Sequence, residues 1–385
     1  MKTSFTLSTL SVLLLASGLF AQDPDLAKEL GFAVDSTYQQ TALEYNFARL
    51  DKNQDGAIDP QDKGAWRSLK RYDANGDGKV EQAEYSPAYK APENADRVLR
   101  DVIYKTVVGK NCLVDIYLPK AAPGEKVPLV YFTHGGGWGA GSKEINGNVE
   151  DLFGELLGKG IACASASYRL VKLKNKDDEA TMLTCVIDCM DGMRFLVKHA
   201  EALQIDSDKV IPFGNSAGGH IALMLTYAPA EKFTGDADLE SVELQPLAGM
   251  SWYGPVDFTN SDLFVADVEG FDKNPDRFGS RMKKGEPATS YADASDSMKE
   301  LMKKLSPIVY LKPDSPAMFT MHGNLDTTIP QKHSQALAAK AKEIGADVQY
   351  LPVNNAGHGW RGDCDPAWSK IRERMVEFVV EQTEK

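Results

Sequence analysis

One serine stands in a pentapeptide whose pattern suits a nucleophile. Gly214-Asn215-Ser216-Ala217-Gly218 follows the apolar segment 210–213 and precedes a helical stretch. A Gly-x-Ser-x-Gly pattern at a strand-to-helix turn lifts the serine hydroxyl out of a sheet, and its glycines avoid collisions with neighbouring elements. The Ala217 N–H would point to a substrate carbonyl from the positive end of the helix. We therefore predict that Ser216 is the nucleophile of an acyl transfer.

Three consecutive glycines indicate where the charge of that reaction would be stabilised. His134-Gly135-Gly136-Gly137-Trp138 comes directly after the apolar segment 129–133. Glycines leave the backbone free to direct N–H groups at a developing oxyanion, and one such donor typically lowers the barrier by about 3 kcal/mol. We predict an oxyanion hole from Gly135, Gly136, Gly137 and Ala217. We expect His134 to brace the loop rather than to act as a base.

A serine nucleophile needs a base and an acid that orients the base. His358, between Gly357 and Gly359 in a loop after the last predicted strand, is the expected base. Asp326 follows another predicted strand and lies between nucleophile and base in the chain, so it is the expected acid. Asp257, after the strand that follows the nucleophile, is the competing acid. We expect His199 and His333 to be surface residues on helices, and His220 and His322 to be structural.

Two tryptophans flank the predicted site in the sequence. Trp138 ends the glycine-rich segment and Trp360 follows His358 by two residues. Either ring could stack on a sugar or on an aromatic acyl group. Packing in the core is an equally good interpretation of both residues.

Two acidic loops precede this region. Residues 51–62 and 73–84 each place oxygen-bearing side chains at regular positions around a glycine, a spacing that suits Ca²⁺. They resemble an EF-hand pair. The resemblance implies two calcium sites, with Ala57 and Lys79 contributing backbone carbonyls to side-chain ligands from Asp51, Asn53, Asp55, Asp59 and Asp62 in one loop and from Asp73, Asn75, Asp77, Glu81 and Glu84 in the other. Asp62 stands where the family usually has a bidentate glutamate. Ile58 and Val80 are expected to pair as short strands, and the Ca²⁺ to have a structural or docking role.

The composition narrows the class of protein. The chain has 385 residues, 43% of them hydrophobic and 25% charged, with a formal net charge of −12. That charge argues against nucleic acid and against acidic membranes as partners. The five cysteines are an odd number, and we expect most of them to be small buried residues with one disulfide possible.

The elements that would position the site alternate between strands and helices. Strands are predicted at 98–108, 113–118, 129–133, 161–168, 210–213, 247–252, 317–321 and 348–351, with helices that include 182–199, 220–227 and 367–381. This alternation predicts an α/β fold with a mostly parallel sheet. Residues 260–304 interrupt the pattern, and they would form either a cap over the site or a surface excursion that does not contact substrate.

The first 21 residues read as a signal peptide rather than as a retained membrane anchor. Lys2 precedes an apolar stretch over residues 5–20 that is short and broken by polar residues, and Ala21 suits cleavage. We therefore expect a secreted or periplasmic protein. The domains would be a signal peptide at 1–21, a small all-α EF-hand pair at 22–90 and a catalytic domain at 91–385.

Residues 98–383 resemble α/β-hydrolase esterases with an HGGGW motif. The resemblance covers hormone-sensitive-lipase-like esterases and, more closely, bacterial feruloyl and acetyl esterases; it rests on His134–Trp138, Gly214–His220, His322–Pro330 and Gly357–Trp360, among other segments. It implies the α/β-hydrolase fold and a Ser-His-Asp mechanism that needs no cofactor. It also implies removal of acetyl or feruloyl groups from plant or algal polysaccharides. The alternatives are a general short-chain carboxylesterase and a calcium-dependent docking protein with an inactive hydrolase fold.

Overall fold

The computed structural model describes most of the chain beyond the N-terminus. The described residues are 24–36, 38, 47–48, 50–70, 73, 75–81, 91–173, 179–268, 279–283, 290–360 and 362–385. The predicted signal peptide therefore lies outside the described residues, as does Glu84. Within the described part, no helix has the length and apolar character needed to span a membrane.

A sheet of eight strands forms the centre of the main domain. After two short strands near the N-terminus, β1 (Ala57–Ile58) and β2 (Val80–Glu81), its strands are β3 (Arg97–Val107), β4 (Lys110–Leu118), β5 (Val127–Thr133), β6 (Ala162–Ala166), β7 (Ile205–Asn215), β8 (Ala248–Trp252), β9 (Ala317–Gly323) and β10 (Val348–Val353). Each of the eight predicted strands corresponds to one of β3–β10. The spatial order is β10-β9-β8-β7-β5-β6-β4-β3. β4 pairs antiparallel with β3 and β6, and the other pairs are parallel. The mostly parallel sheet of the α/β-hydrolase fold is thus confirmed.

Helices cover both faces of this sheet. They are α1 (Pro24–Glu29), α2 (Gly64–Leu69), α3 (Gly147–Gly158), α4 (Met182–Lys198), α5 (Ala200–Leu203), α6 (Ala217–Tyr227), α7 (Gly279–Met282), α8 (Asp296–Lys304), α9 (Lys332–Ile344) and α10 (Trp368–Thr383).

The strand sequences explain why both faces are covered. Neighbouring residues of a strand point to opposite faces. In β5, Leu129 and Tyr131 join the core under α4 and α6, whereas Val130 and Phe132 join the core under α3 and α10. A continuous apolar run such as β5 is what a parallel strand buried on both faces requires.

The two acidic loops form a small unit of their own. β1 and β2 pair antiparallel, with Ile58 opposite Val80, which confirms the predicted pairing. Both side chains are fully buried and pack with Phe47 and Ala65 in a separate small core. The described part of this unit combines α2 and a 3-10 turn at Pro60–Asp62 with the two short strands.

The segment before this unit lies against the main domain. Val34 makes a bridge to Val102 of β3, and the Ile103 N–H donates to the Ala33 carbonyl at 2.9 Å. Phe32 is buried in the main core, where its ring lies 5.6 Å from that of Phe195. Residues 26–35, which the sequence groups with the acidic loops, therefore stabilise the outer edge of the large sheet.

All five cysteines lie in the described part of the chain. None of them is in a disulfide; Cys364 is partly exposed, and Cys112, Cys163, Cys185 and Cys189 are buried. The expectation of small buried residues is confirmed for these four.

Candidate active site

Ser216 lies on a strained turn between β7 and α6. Its backbone has φ of +55° and ψ of −119°, a conformation that non-glycine residues rarely adopt. Its N–H donates to the Trp252 carbonyl at 2.8 Å, which holds the turn against β8. A Cβ on Gly218 would collide with the Thr133 carbonyl oxygen, and one on Gly214 would collide with the Gly218 carbonyl. The two glycines are therefore needed for the close approach of strand and helix that exposes the serine hydroxyl.

The three residues predicted as a triad form a continuous hydrogen-bonded chain. His358 Nε2 is 3.0 Å from Ser216 Oγ, and His358 Nδ1 is 2.7 Å from Asp326 Oδ2. A carboxylate only accepts hydrogen bonds, so Nδ1 carries a proton and, in the neutral ring, Nε2 has the lone pair that faces the serine. The histidine is thus oriented to take the proton of Ser216.

Asp326 is buried, with 2% of its surface exposed. Its Oδ1 accepts the Thr328 N–H at 2.7 Å and the Ile329 N–H at 2.9 Å. Burial by itself raises the pKa of Asp326, but hydrogen bonds from His322 and His358 outweigh it and hold the pKa below its ordinary value. The acid therefore stays ionised beside the histidine.

The loops that present the acid and the base are tied together. They follow β9 and β10, which are parallel neighbours, so both loops leave the sheet at its carboxyl edge. The Asn324 N–H donates to the Val353 carbonyl and the Leu325 N–H donates to the Ala356 carbonyl, both at 3.0 Å. These bonds fix the separation of Asp326 and His358.

The glycine-rich loop after β5 lies beside Ser216, but its three glycines are not equivalent. The Gly135 N–H donates to Asn215 Oδ1 at 2.7 Å. The prediction that Gly135 supplies an oxyanion donor is therefore wrong, because its one N–H is already used to dock the loop on the serine turn. Gly136 has φ of +114°, and a Cβ there would collide with the Ala140 carbonyl oxygen. The N–H groups of Gly136, Gly137 and Ala217 remain the candidate donors at the cavity that contains Ser216.

His134 braces this loop, as predicted. Its Nδ1 is 2.7 Å from the Gly135 carbonyl oxygen, and its ring stacks on Tyr168 with centroids 4.2 Å apart. The Tyr168 hydroxyl donates to the His134 carbonyl at 2.8 Å. Burial lowers the pKa of His134 to about 4, against the opposing effect of the Gly135 carbonyl. A neutral, immobilised ring of this kind is suited to support rather than to proton transfer.

The two tryptophans predicted to stack on substrate are core residues. Trp138 is 1% exposed and packs edge-on to His220, with ring centroids 5.4 Å apart. Trp360 is 8% exposed and packs against Trp252 and Tyr253. Packing in the core, which the sequence left as an equal alternative to substrate stacking, is the interpretation that this burial supports for both residues.

The competing residues lie elsewhere. Asp257 accepts the N–H and the hydroxyl of Thr259, at 2.8 and 2.6 Å, whereas the two ring nitrogens of His358 face Asp326 and Ser216. His220 is buried with Nε2 2.7 Å from the Leu305 carbonyl oxygen, as expected for a structural residue. The expectation that His333 lies at the surface is wrong: the side chain is fully buried, and its Nδ1 accepts the Val256 N–H at 3.2 Å.

A cavity of about 680 Å³ opens around Ser216 and His358. The sequence did not single out four residues that shape it: Glu144, Asn215, Tyr253 and Arg281. Asn215 lies within the nucleophile pentapeptide, so its position next to Ser216 was a usable signal. Arg281 comes from α7 within residues 260–304, which favours the interpretation of this insertion as a cap over the site.

The two acidic loops share one hydrogen-bonding pattern. The Gly56 N–H donates to Asp51 Oδ2 at 2.9 Å, and the equivalent Gly78 N–H donates to Asp73 Oδ2 at 3.0 Å. Asp62 accepts the Lys52 N–H at 2.8 Å and the Asp59 N–H at 3.0 Å. Among the described residues, no three or more His, Cys, Asp or Glu side chains are grouped so that they could hold a metal ion.

Known proteins resemble the main domain. Esterase LipQ of Mycobacterium tuberculosis is 26% identical over 274 residues, which are 71% of this chain and 58% of that protein. A probable isoprenylcysteine alpha-carbonyl methylesterase of Arabidopsis thaliana is 24% identical over 279 residues, 69% of this chain and 52% of that protein. The chain thus spans somewhat more than half the length of these curated relatives.

A solved esterase of Thermogutta terrifontis has the same fold. The TM-score is 0.59 at 24% identity, over 77% of this chain and 94% of that one. The BD-FAE family model matches residues 114–341, from β4 into α9, and includes Ser216 and Asp326. Because this match covers more than half of the chain, the protein belongs to the BD-FAE family of α/β-hydrolase esterases.

Proposed function

We propose that the protein is a carboxylic ester hydrolase that works through an acyl-enzyme on Ser216. The observation that carries this proposal is the hydrogen-bonded chain from Asp326 through His358 to Ser216, which ends in an open cavity. Family membership and the esterase names of the relatives support the same reaction.

The first half of the reaction forms the acyl-enzyme. His358 Nε2 takes the proton of Ser216 as Oγ attacks the ester carbonyl, and Asp326 stabilises the resulting imidazolium. The N–H groups of Gly136, Gly137 and Ala217 receive the oxyanion. The C–O bond to the alcohol then breaks, and the alcohol leaves with the proton from His358.

The second half releases the acid. His358 takes a proton from water, whose oxygen attacks the acyl carbon, and the same donors hold the new oxyanion. The bond to Ser216 Oγ breaks and the proton returns to the serine. The ester and one water thus give one acid and one alcohol, and no cofactor takes part in these steps.

The proposed substrates are acetyl or feruloyl esters on plant or algal polysaccharides, met outside the cell. The BD-FAE family suggests these acyl groups. The cavity volume of about 680 Å³ is within the usual range of small-ligand sites. The expected signal peptide favours an extracellular substrate. A general short-chain carboxylesterase is the competing proposal.

Competition between substrates tests this proposal. The protein is incubated with acetylated and feruloylated polysaccharides beside simple acyl esters of increasing length, and released acids are quantified by mass spectrometry. We expect the sugar esters to have the highest kcat/KM. Faster turnover of simple long-chain esters would contradict the polysaccharide proposal. Ser216→Ala should abolish every release, and undiminished turnover by that variant would contradict the mechanism itself.

We also propose that the loops at 51–62 and 73–84 bind Ca²⁺. Their oxygen donors fit this ion by type and spacing, and the shared hydrogen bonds from Gly56 and Gly78 support one plan for both loops. Because Asp59 and Asp62 now cap backbone N–H groups, binding would exchange those hydrogen bonds for the ion. The ion would stabilise the small unit or a docking surface for a protein partner, and it would not enter the ester chemistry.

Calorimetric titration of the metal-free protein with Ca²⁺ tests this second proposal. We expect saturable binding that Asp51→Asn weakens in one loop and Asp73→Asn in the other, together with a higher unfolding temperature. Chelator should leave ester hydrolysis unchanged. The absence of heat and of any thermal shift at millimolar Ca²⁺ would contradict calcium binding.

A further inference from the structure

One cationic side chain stands over the oxyanion loop. Two guanidinium nitrogens of Arg281 lie 3.8 and 3.9 Å from the point where a Cβ on Gly137 would stand. Arg281 lines the same cavity as Ser216 and His358. Among the described residues around that cavity, it is the one arginine, and there is no lysine.

The short helix that carries Arg281 is fixed to the body of the protein. Met282, the next residue, is 2% exposed and belongs to the main core with Met298 and Met302 of α8. α7 also contacts α4, which packs on the large sheet. The guanidinium is therefore held at the cavity by a buried anchor and is not at the end of a free surface loop.

The described residues around the cavity include one acidic side chain, that of Glu144. Its carboxylate is 3.2 Å from the Nζ of Lys143, which is fully buried and also pairs with Asp101 and Asp115 at 2.7 and 2.9 Å. Burial raises the pKa of Glu144, but Lys143 outweighs it and keeps the carboxyl ionised. An anionic ligand would therefore avoid the wall at Glu144 and meet Arg281.

The guanidinium of Arg281 is partly buried at the wall of the cavity. Its five donors can bind a carboxylate through two parallel hydrogen bonds and still keep a partner within the protein. Because Arg281 and Ser216 line one cavity of about 680 Å³, a charge at Arg281 would be on the sugar that carries the ester or on its neighbour.

We propose that Arg281 determines specificity by binding an anionic group on the saccharide, so that the preferred substrates are acyl esters of acidic sugars. This inference rests on the proposed esterase function and names its substrate class. Carboxylate and sulfate groups share the chemistry that a guanidinium recognises, and uronates and sulfated sugars are therefore the two possible sources of the anion.

The test compares acetate release from monoacetylated methyl glycosides that differ at one group. The set is a glucuronoside, its uncharged glucuronamide, and a glucoside with and without a sulfate. For wild type, we expect kcat/KM for one anionic sugar to exceed its neutral counterpart by about 10- to 100-fold, as for a hydrogen-bonded charged pair. The preference should fall as ionic strength rises. The member of the set with the highest ratio identifies the anion.

Variants separate binding at Arg281 from other effects. Arg281→Gln should reduce the ratio of anionic to neutral kcat/KM to near one, and Arg281→Lys should keep an intermediate ratio, because it retains the charge but loses the planar fork. Lys283→Gln is the matched control. It removes a positive charge from an exposed neighbour in the same segment that does not line the cavity, so the wild-type ratio should remain.

Three results would overturn the inference: no anionic preference in wild type, an equal loss on both substrates in Arg281→Gln, or the same change of ratio in Lys283→Gln. An equal loss would mean that Arg281 supports the oxyanion loop. The proposed function fails separately, by acetate release that persists in Ser216→Ala. Circular dichroism and unfolding temperature establish that each variant is folded.

Discussion

Replacement of Asp326 by asparagine probes the geometry of the site most directly. In the native protein, Oδ1 of Asp326 accepts two backbone N–H groups and Oδ2 faces His358 Nδ1 at 2.7 Å. An asparagine that keeps both backbone bonds must turn its NH₂ group toward the histidine. Nδ1 of His358 then becomes an acceptor, and the proton moves to Nε2, where it blocks the transfer from Ser216.

The flipped asparagine would restore the productive tautomer, but at a cost. It would place NH₂ against the N–H groups of Thr328 and Ile329. The loss of an acceptor costs about 1–3 kcal/mol for the buried Ile329 N–H, and the half-buried Thr328 N–H adds to it. The unproductive tautomer therefore dominates, and the charged partner of the imidazolium is lost as well. We expect kcat/KM to fall by about 10⁴-fold, close to 5.5 kcal/mol.

Hydrolysis of p-nitrophenyl acetate by Asp326→Asn, with unfolding temperature as the check on folding, measures this loss. Asp257→Asn is the matched control, because the sequence left Asp257 as the rival acid and the structure shows it accepting bonds from Thr259. We expect the control to retain activity within about threefold. If Asp326→Asn keeps more than a tenth of wild-type activity, or if the loss appears in Asp257→Asn, the tautomer reasoning is wrong.

Three further predictions follow from the same contacts. Gly136→Ala should lower kcat by at least about 100-fold, because its Cβ would collide with the Ala140 carbonyl and displace the oxyanion loop. Gly160→Ala is the control: its backbone has φ of +75° but the space around it is open, so only the free energy of unfolding should fall, by about 1–2 kcal/mol. Measurements of kcat and of denaturant unfolding distinguish these outcomes. Burial lowers the pKa of His220 to about 4, so its contribution to stability is complete above about pH 6.5 and is lost as the pH falls toward 4. In His220→Gln, denaturant titrations should show that the free energy of unfolding changes less with pH, by roughly 3 kcal/mol over that range. An unchanged pH dependence would contradict this. Trp138→Ala truncates a buried side chain and should lower the free energy of unfolding by about 3–5 kcal/mol. If instead kcat/KM fell for sugar esters alone and stability were unchanged, the stacking hypothesis would be restored.

Much of the site was predictable because its signals are local. A glycine-flanked serine between strand and helix, and an aspartate and a histidine in loops after the next strands, need only the alternation of strands and helices to place them at one edge of the sheet. The sequence favoured Asp326 as the acid but left Asp257 as a rival. What decides between them is the tie between the Asp326 loop and the His358 loop, through bonds such as that from the Leu325 N–H to the Ala356 carbonyl.

By itself, the sequence determined the α/β architecture, the eight strands and the nucleophile and base of the site, since periodicity and turn chemistry are properties of short segments. Only the tertiary structure decided how they are used. The Gly135 N–H is taken by Asn215, 80 residues away in the chain, and Trp138 is enclosed by distant side chains. Arg281 reaches the cavity from an insertion with no motif of its own. Such contacts depend on how distant segments pack, which no local pattern encodes.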